Sequence, residues 1–179
     1  MAYTLCGHEY FEIEDFEQSE NHYKKGYAVD RRNYKAWWGV GNIYMKQEKF
    51  DKALKNFNVA ANIYKNSSFL HTYIGMALMS SKYIEKGLEQ FELSYKINPK
   101  VPLNSYMRIQ ALTKLNRFEE ALELLTDLIK KHPKESSLYI HKGTLMKNMG
   151  FKEEALKDFN RALDLNPKDS NMIKDLIDN

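Results

Sequence analysis

Apolar positions along residues 34–61 recur with a helical period. Trp37, Val40, Gly41 and Tyr44 stand at i, i+3, i+4 and i+7, which places them on one face of a helix. Phe50, Ala53, Leu54, Phe57 and Ala60 form a second such stripe. Between the two, Lys46-Gln47-Glu48-Lys49 is polar and reads as a turn. No segment sustains the period-2 alternation of a half-buried strand. The unit predicted is a hairpin of two amphipathic helices.

The same unit returns at a period of 34 residues. Gly7, Gly41, Gly75 and Gly143 form one column, broken only by Ile109. Pro99, Pro133 and Pro167 form a second, where the missing N–H ends one helix and precedes the next. Ser19, Ala53, Gly87, Ala121 and Ala155 form a small-residue column, and Tyr23, Phe57, Phe91, Leu125 and Phe159 a large one. The small residues predict close helix crossing at the levels of Gly41 and Ala53, with the large column filling the space between hairpins. A hairpin buries only one face alone, so such units gain stability by stacking. These columns resemble the tetratricopeptide repeat over nearly the whole chain, with Trp37, Val40, Gly41, Tyr44, Ala53, Phe57 and Ala60 in its signature slots. The resemblance implies an all-α, right-handed superhelix (an α-solenoid) of about five hairpins. The expected units are 1–33, 34–67, 68–101, 102–135 and 136–169, with a capping helix over 170–179.

Three irregularities carry expectations. Ile109 and Leu125 in the fourth unit are expected to splay its helix pair. Lys65, where neighbouring units have proline, is expected to loosen or lengthen the exit from the second unit. The chain starts inside a repeat, so it reads as the C-terminal part of a longer array, with Tyr3 and Phe16 partly exposed.

Composition narrows the function. The 179 residues are 43% apolar, enough for a core, and 27 basic against 24 acidic residues give a net charge of only +3, which does not point to nucleic acid. Uncharged stretches are too short and too polar to span a bilayer, so a soluble intracellular chain is expected. Cys6 has no second cysteine to pair with.

Catalytic chemistry is not legible. His8-Glu9-Tyr10-Phe11-Glu12 begins like a zinc-protease helix, but that chemistry needs a second histidine where Glu12 stands. His22, His71, His132 and His141 are scattered, and no glycine-rich phosphate loop occurs. The expectation is a non-enzyme with no cofactor and no metal.

In the repeat family, the first helix of each unit lines the inner face. Carried onto this chain, that geometry assigns Thr4, Leu5, His8, Phe11 and Glu12, then Lys35, Trp38, Gly39, Asn42, Met45 and Lys46. The third unit supplies Phe69, Thr72, Tyr73, Met76 and Met79, and the fourth Leu103, Tyr106, Met107, Gln110 and Lys114. Aromatic and methionine surfaces of this kind suit recognition of an apolar side chain. The first unit is net acidic and the second net basic, a polarity that fits a peptide bearing both a guanidinium and a carboxylate. The side chains of a chaperone-tail carboxylate clamp are absent from the corresponding slots.

A narrower resemblance rests on Ala2 to Tyr10 and on Asn33 to Phe50. These segments are similar to the C-terminal repeats of the tetratricopeptide subunits of the anaphase-promoting complex. Ile43 to Phe50, Pro133-Lys134-Glu135-Ser136 and Asp164-Leu165-Asn166-Pro167-Lys168 favour the bimA-type branch of that family. The resemblance implies a scaffold in a nuclear ubiquitin ligase that receives Ile-Arg tails of activator or doc-domain subunits. It also implies dimerisation of full-length relatives through N-terminal repeats that this chain lacks. The expected tail site comprises His8, Glu9, Glu12, Lys35, Trp38, Asn42, Met45, Lys46, Tyr73 and Met76. Trp38, Tyr73 and Met76 would form the apolar pocket, Glu9 or Glu12 would meet the guanidinium, and Asn42, Lys35 or Lys46 the carboxylate. The residues alone leave open a generic adaptor with an unrelated peptide, or the paralogous cell-division-cycle twenty-three branch.

Overall fold

A computed structural model describes residues 2–178, which leaves Met1 and Asn179, at the ends of the first and last expected segments, outside the described residues. The described residues are helical: α1 (Ala2–Glu12), α2 (Phe16–Val29), α3 (Tyr34–Lys46), α4 (Phe50–Ile63), α5 (Ser68–Ser80), α6 (Ile84–Ile97), α7 (Pro102–Lys114), α8 (Phe118–Lys131), α9 (Ser136–Asn148), α10 (Lys152–Leu165) and α11 (Ser170–Asp178). A short 3-10 turn, Pro167–Asp169, precedes α11. The chain divides into two units, Met1–Ala111 and Leu112–Asn179.

Local chemistry sets the helix ends. Asp15, Asn33 and Ser67 cap α2, α3 and α5 by accepting from the amides of Gln18, Ala36 and Leu70. Inside each hairpin the chain turns through one residue of left-handed backbone: Glu14, Glu48, Lys82, Asn116 and Gly150, with φ of 60°, 57°, 68°, 57° and 89°. The residue after each donates its N–H back five positions, as Lys49 does to the Tyr44 carbonyl at 2.8 Å and Tyr83 to that of Leu78 at 2.9 Å. That closes the preceding helix by a Schellman arrangement, repeated with the period of the sequence.

In the first unit, the glycine and large-residue columns meet. A Cβ added at Gly7 would lie 2.6 Å from the Tyr23 ring, and one at Gly75 would lie 2.5 Å from Phe91. Gly41 stands in the same relation to Phe57. Each of these rings meets the glycine of its own hairpin, and Tyr23 also fills the space toward the next hairpin as expected, since a Cβ at Gly39 of α3 would collide with it. Phe57 then also packs with Ile74 and Ala77 of α5, and Tyr23 with Ala36, Val40 and Ile43 of α3. The small column allows the backbones to approach: Ser19 donates to the Gly7 carbonyl at 2.8 Å, and a Cβ at Gly87 would meet the Gly75 carbonyl at 3.0 Å.

One junction is held by polar groups. Thr72, Ser94 and Asn104 are fully or nearly fully buried on α5, α6 and α7. The Thr72 hydroxyl lies 2.8 Å from Ser94 Oγ and donates to Asn104 Oδ1 at 2.7 Å, and Ser94 donates to the Ser68 carbonyl at 2.7 Å. Arg108 stacks on Tyr95 with its guanidinium carbon 4.6 Å from the ring centre.

The second unit repeats the pattern. A Cβ at Gly143 would lie 2.7 Å from the Phe159 ring. Ile173 of α11 is fully buried against Ala155, Phe159 and Ala162, and Lys147 Nζ donates to the Leu176 carbonyl at 2.6 Å. The last helix covers the apolar face of α10 that would otherwise meet water.

Ile109 and Leu125 are both buried. The exit from α4 is not longer than the others: four residues separate α4 from α5, as they do α2 from α3 and α6 from α7. Asn66 supplies a left-handed residue there (φ 57°), and Tyr64 stacks on Tyr34 with ring centres 4.6 Å apart. Tyr3 is 43% exposed and Phe16 partly so, as expected, the latter half-buried against the Tyr23 cluster beside Phe11.

Candidate peptide-binding groove

Parallel first helices carry equivalent residues side by side, and α1, α3 and α5 use this to build a run of rings. His8 lies 5.8 Å from Trp38, Trp38 meets Tyr73 edge-on at 5.4 Å and Phe69 at 5.1 Å, and Phe69 and Tyr73 are 4.8 Å apart. Underneath, Tyr73 and Met45 pack on the cluster of Phe57, Ile74 and Ala77, which holds the run against the core. The indole N–H of Trp38 is buried with no acceptor among the described residues, an arrangement that costs about 1–3 kcal/mol when a polar group stays unsatisfied.

Polar groups flank the run. The Tyr23 hydroxyl lies 2.7 Å from His8 Nδ1. Burial pushes the Tyr23 phenol up to about 12, so it remains a donor, and donation to Nδ1 leaves the neutral ring's proton on Nε2. Burial, followed by the charge of Lys35, lowers the proton affinity of His8, against the opposite pull of Glu12 and Glu9. All three charges act on the imidazole, and all three are exposed. Asn42 and Met76 are half-buried on α3 and α5, and Lys46 is exposed in the last turn of α3. Of the ten expected site residues, His8, Trp38 and Tyr73 form one contiguous surface, and Glu9, Glu12 and Lys35 are its nearest charges. Three lining residues play other parts: Thr4, Gly39 and Thr72 are buried, Thr4 accepting from Asn33 at 2.9 Å and Gly39 lying against the Tyr23 ring.

Sequence reasoning missed a cavity of about 360 Å³ beside His8, bounded by the start of α1, the end of α2 and the start of α3. Leu5 and Val29 supply apolar walls, and Arg32 and Lys35 stand at it with His8. The tetratricopeptide pattern carries a signal for it, because Thr4 and Lys35 stand where the next repeat has Trp38 and Phe69.

The comparisons with known proteins agree with this architecture. The tetratricopeptide-repeat profiles match residues 34–67 and 106–170. Among solved structures, the MamA protein superposes with a TM-score of 0.79 at 19% identity, covering 92% of this chain and 96% of that one. The Cut9–Hcn1 heterotetramer of the anaphase-promoting complex matches with a TM-score of 0.77 at 16% identity, over 98% of this chain and 35% of that one. The chain belongs to the tetratricopeptide-repeat family, whose arrays are protein-interaction scaffolds. Within that family its repeats are of the cell-division-cycle-27 type. They are 35% identical to anaphase-promoting complex subunit 3 of Schizosaccharomyces pombe over 99% of this chain and 27% of the relative. They are 39% identical to cell division cycle protein 27 homologue B of Arabidopsis thaliana over 93% of this chain and 22% of that protein. The chain thus spans about a quarter of the length of these relatives.

Proposed function

We propose that these repeats are a non-catalytic binding segment of an anaphase-promoting-complex subunit, and that the α1–α3–α5 groove holds C-terminal Ile-Arg tails of activator or doc-domain subunits. The supporting observation is the ring surface of His8, Trp38 and Tyr73, with the charges of Lys35, Glu12 and Glu9 acting on His8. The isoleucine lies on Trp38, Tyr73 and Met76, the guanidinium faces Glu9 or Glu12, and the terminal carboxylate meets Asn42 with a lysine. Charge-assisted bonds at a partly dry surface outweigh those at an open rim. Neither nucleic acid nor a membrane is a partner in this reading, and none of the described helices is long and apolar enough to cross a bilayer. The setting is nuclear and cytoplasmic, within the cell-division ubiquitin ligase, and the full-length protein dimerises through repeats outside this chain.

The test is fluorescence anisotropy of a labelled octapeptide ending in Ile-Arg, as free acid and as amide, on the 179-residue chain. The acid should bind about tenfold more tightly than the amide. Asn42→Ala or Glu12→Ala should weaken binding, while Glu17→Ala and Lys52→Ala should not. Equal affinity for acid and amide would remove the tail site from this groove and favour an adaptor with another peptide.

A further inference from the structure

The cavity beside His8 is a break in the repeat. At the junction of the second and third hairpins, Trp38 of α3 and Phe69 of α5 fill this position with two rings 5.1 Å apart. One period earlier the same slots hold Thr4 and Lys35. Thr4 is small, buried and tied to Asn33 at 2.9 Å, so neither group supplies the missing ring. The space of about 360 Å³ that remains is at the lower end of small-ligand sites, which run from about 300 to 1,000 Å³. Its walls are mainly apolar, and Leu5 and Val29 are 62% and 77% exposed.

Its lining carries two cations, Arg32 and Lys35, and one anion, Asp30. Asp30 is occupied within its own turn, where it accepts from the Arg32 amide at 2.9 Å. Asn33 is occupied by Thr4 and by the Ala36 amide. Among the described residues, neither Arg32 nor Lys35 has an ion-pair partner within 4 Å. The geometry points to a second peptide subsite here, one that takes an aromatic side chain of the ligand in place of the ring missing from the repeat. A carboxylate next to that side chain would lie against Arg32 and Lys35. This rests on the tail-binding reading of the groove, with Lys46 as the lysine beside Asn42 at the terminal carboxylate, and extends the ligand beyond its last two residues.

The helix sets the register. Lys35 and Asn42 are seven residues apart on α3, about 10 Å along the axis. An extended peptide covers that distance in about three residues. The ligand is therefore a tail whose Phe-Asp-like pair places its acidic residue about three positions before the C-terminal residue.

The test uses alanine-rich peptides ending in Ile-Arg, with a Phe-Asp pair moved upstream one residue at a time. Anisotropy on the full chain should show one register, near three residues, that binds about tenfold more tightly than the all-alanine peptide. Arg32→Ala and Val29→Trp, both at exposed positions, should abolish that gain and leave affinity for the all-alanine peptide unchanged. Gain in no register, or gain that survives both variants, overturns the proposal. If the wild-type chain binds no Ile-Arg peptide at all, the tail reading fails, and the cavity is then judged alone. N-acetyl-phenylalanine is titrated into 15N-labelled protein beside its amide. Shifts at Leu5, Val29 and Lys35 for the acid, lost in Arg32→Ala, support the subsite, and no shift at those residues overturns it.

Discussion

At Gly41 the absence of one carbon decides how closely two helices lie, because the Phe57 ring occupies the space a Cβ would need. In the fourth repeat the glycine slot of the sequence holds Ile109 and the ring slot Leu125. Gly41→Ile alone should cost about 1–3 kcal/mol through overpacking, and Phe57→Leu alone should lose stability by leaving a cavity. The double variant should be more stable than the sum of the two losses predicts. Thermal denaturation of all four proteins gives the coupling, and strict additivity would show that ring and glycine do not share one space. His8 offers a second test. The unfolded chain takes up the histidine proton near its ordinary 6.5, whereas burial and Lys35 delay that step in the folded chain to lower pH. Above that ordinary value His8 contributes no pH dependence. Below it the unfolded state binds more protons, so stability falls until the folded-state value is passed. The melting temperature should drop between pH 7.5 and pH 5.5, and His8→Gln, which can still meet the Tyr23 hydroxyl, should shrink that drop. An unaltered slope in His8→Gln would assign the effect to other groups.

Hairpin turns show what the element scale adds. The five left-handed residues recur every 34 positions, yet only Gly150 is a glycine. A left-handed conformation costs a side-chain-bearing residue roughly 1 kcal/mol, so four turns carry strain that the Schellman bonds offset. Lys82→Gly should therefore raise stability by about 1 kcal/mol, less the extra entropy glycine has in the unfolded chain, read as an increased urea midpoint with an unchanged slope. A decrease would mean that the cation–π contact of Lys86 with Tyr83, or another turn contact, depends on the Lys82 side chain. This column could not be read from the sequence, because Glu14, Glu48, Lys82 and Asn116 share no residue type. The helices themselves were legible, since their apolar stripes survive substitution. The ring run was legible too, because Trp38 and Tyr73 stand in inner-face slots. The cavity shows only when repeats are aligned: it is defined by what Thr4 and Lys35 lack beside Trp38 and Phe69 one period on. The Thr72–Ser94–Asn104 network was not legible, because its small polar residues read individually as surface positions.

For the whole molecule, stability is assembled from neighbours. In the first unit α1 packs on α2, α2 on α3, and so on to α6; in the second, α9 packs on α8 and α10, and α10 on α11. Such stacking makes the stability of each hairpin depend mainly on itself and its neighbours, and local opening should follow the same boundaries. Gly143→Leu tests this. Its added side chain collides with the Phe159 ring inside the α9–α10 hairpin, and α11 depends on that hairpin through Ile173 and the Lys147 contact to Leu176. Native-state hydrogen exchange of the variant should show lost protection in α9, α10 and α11, and unchanged protection in α1 to α4. All ten expected binding residues lie on α1, α3 and α5, so the affinity for an Ile-Arg peptide should also be unchanged below the variant's melting temperature. Uniform loss of protection across every helix would mean that the chain opens as one cooperative block. In that case no end of the array could be weakened without weakening the groove.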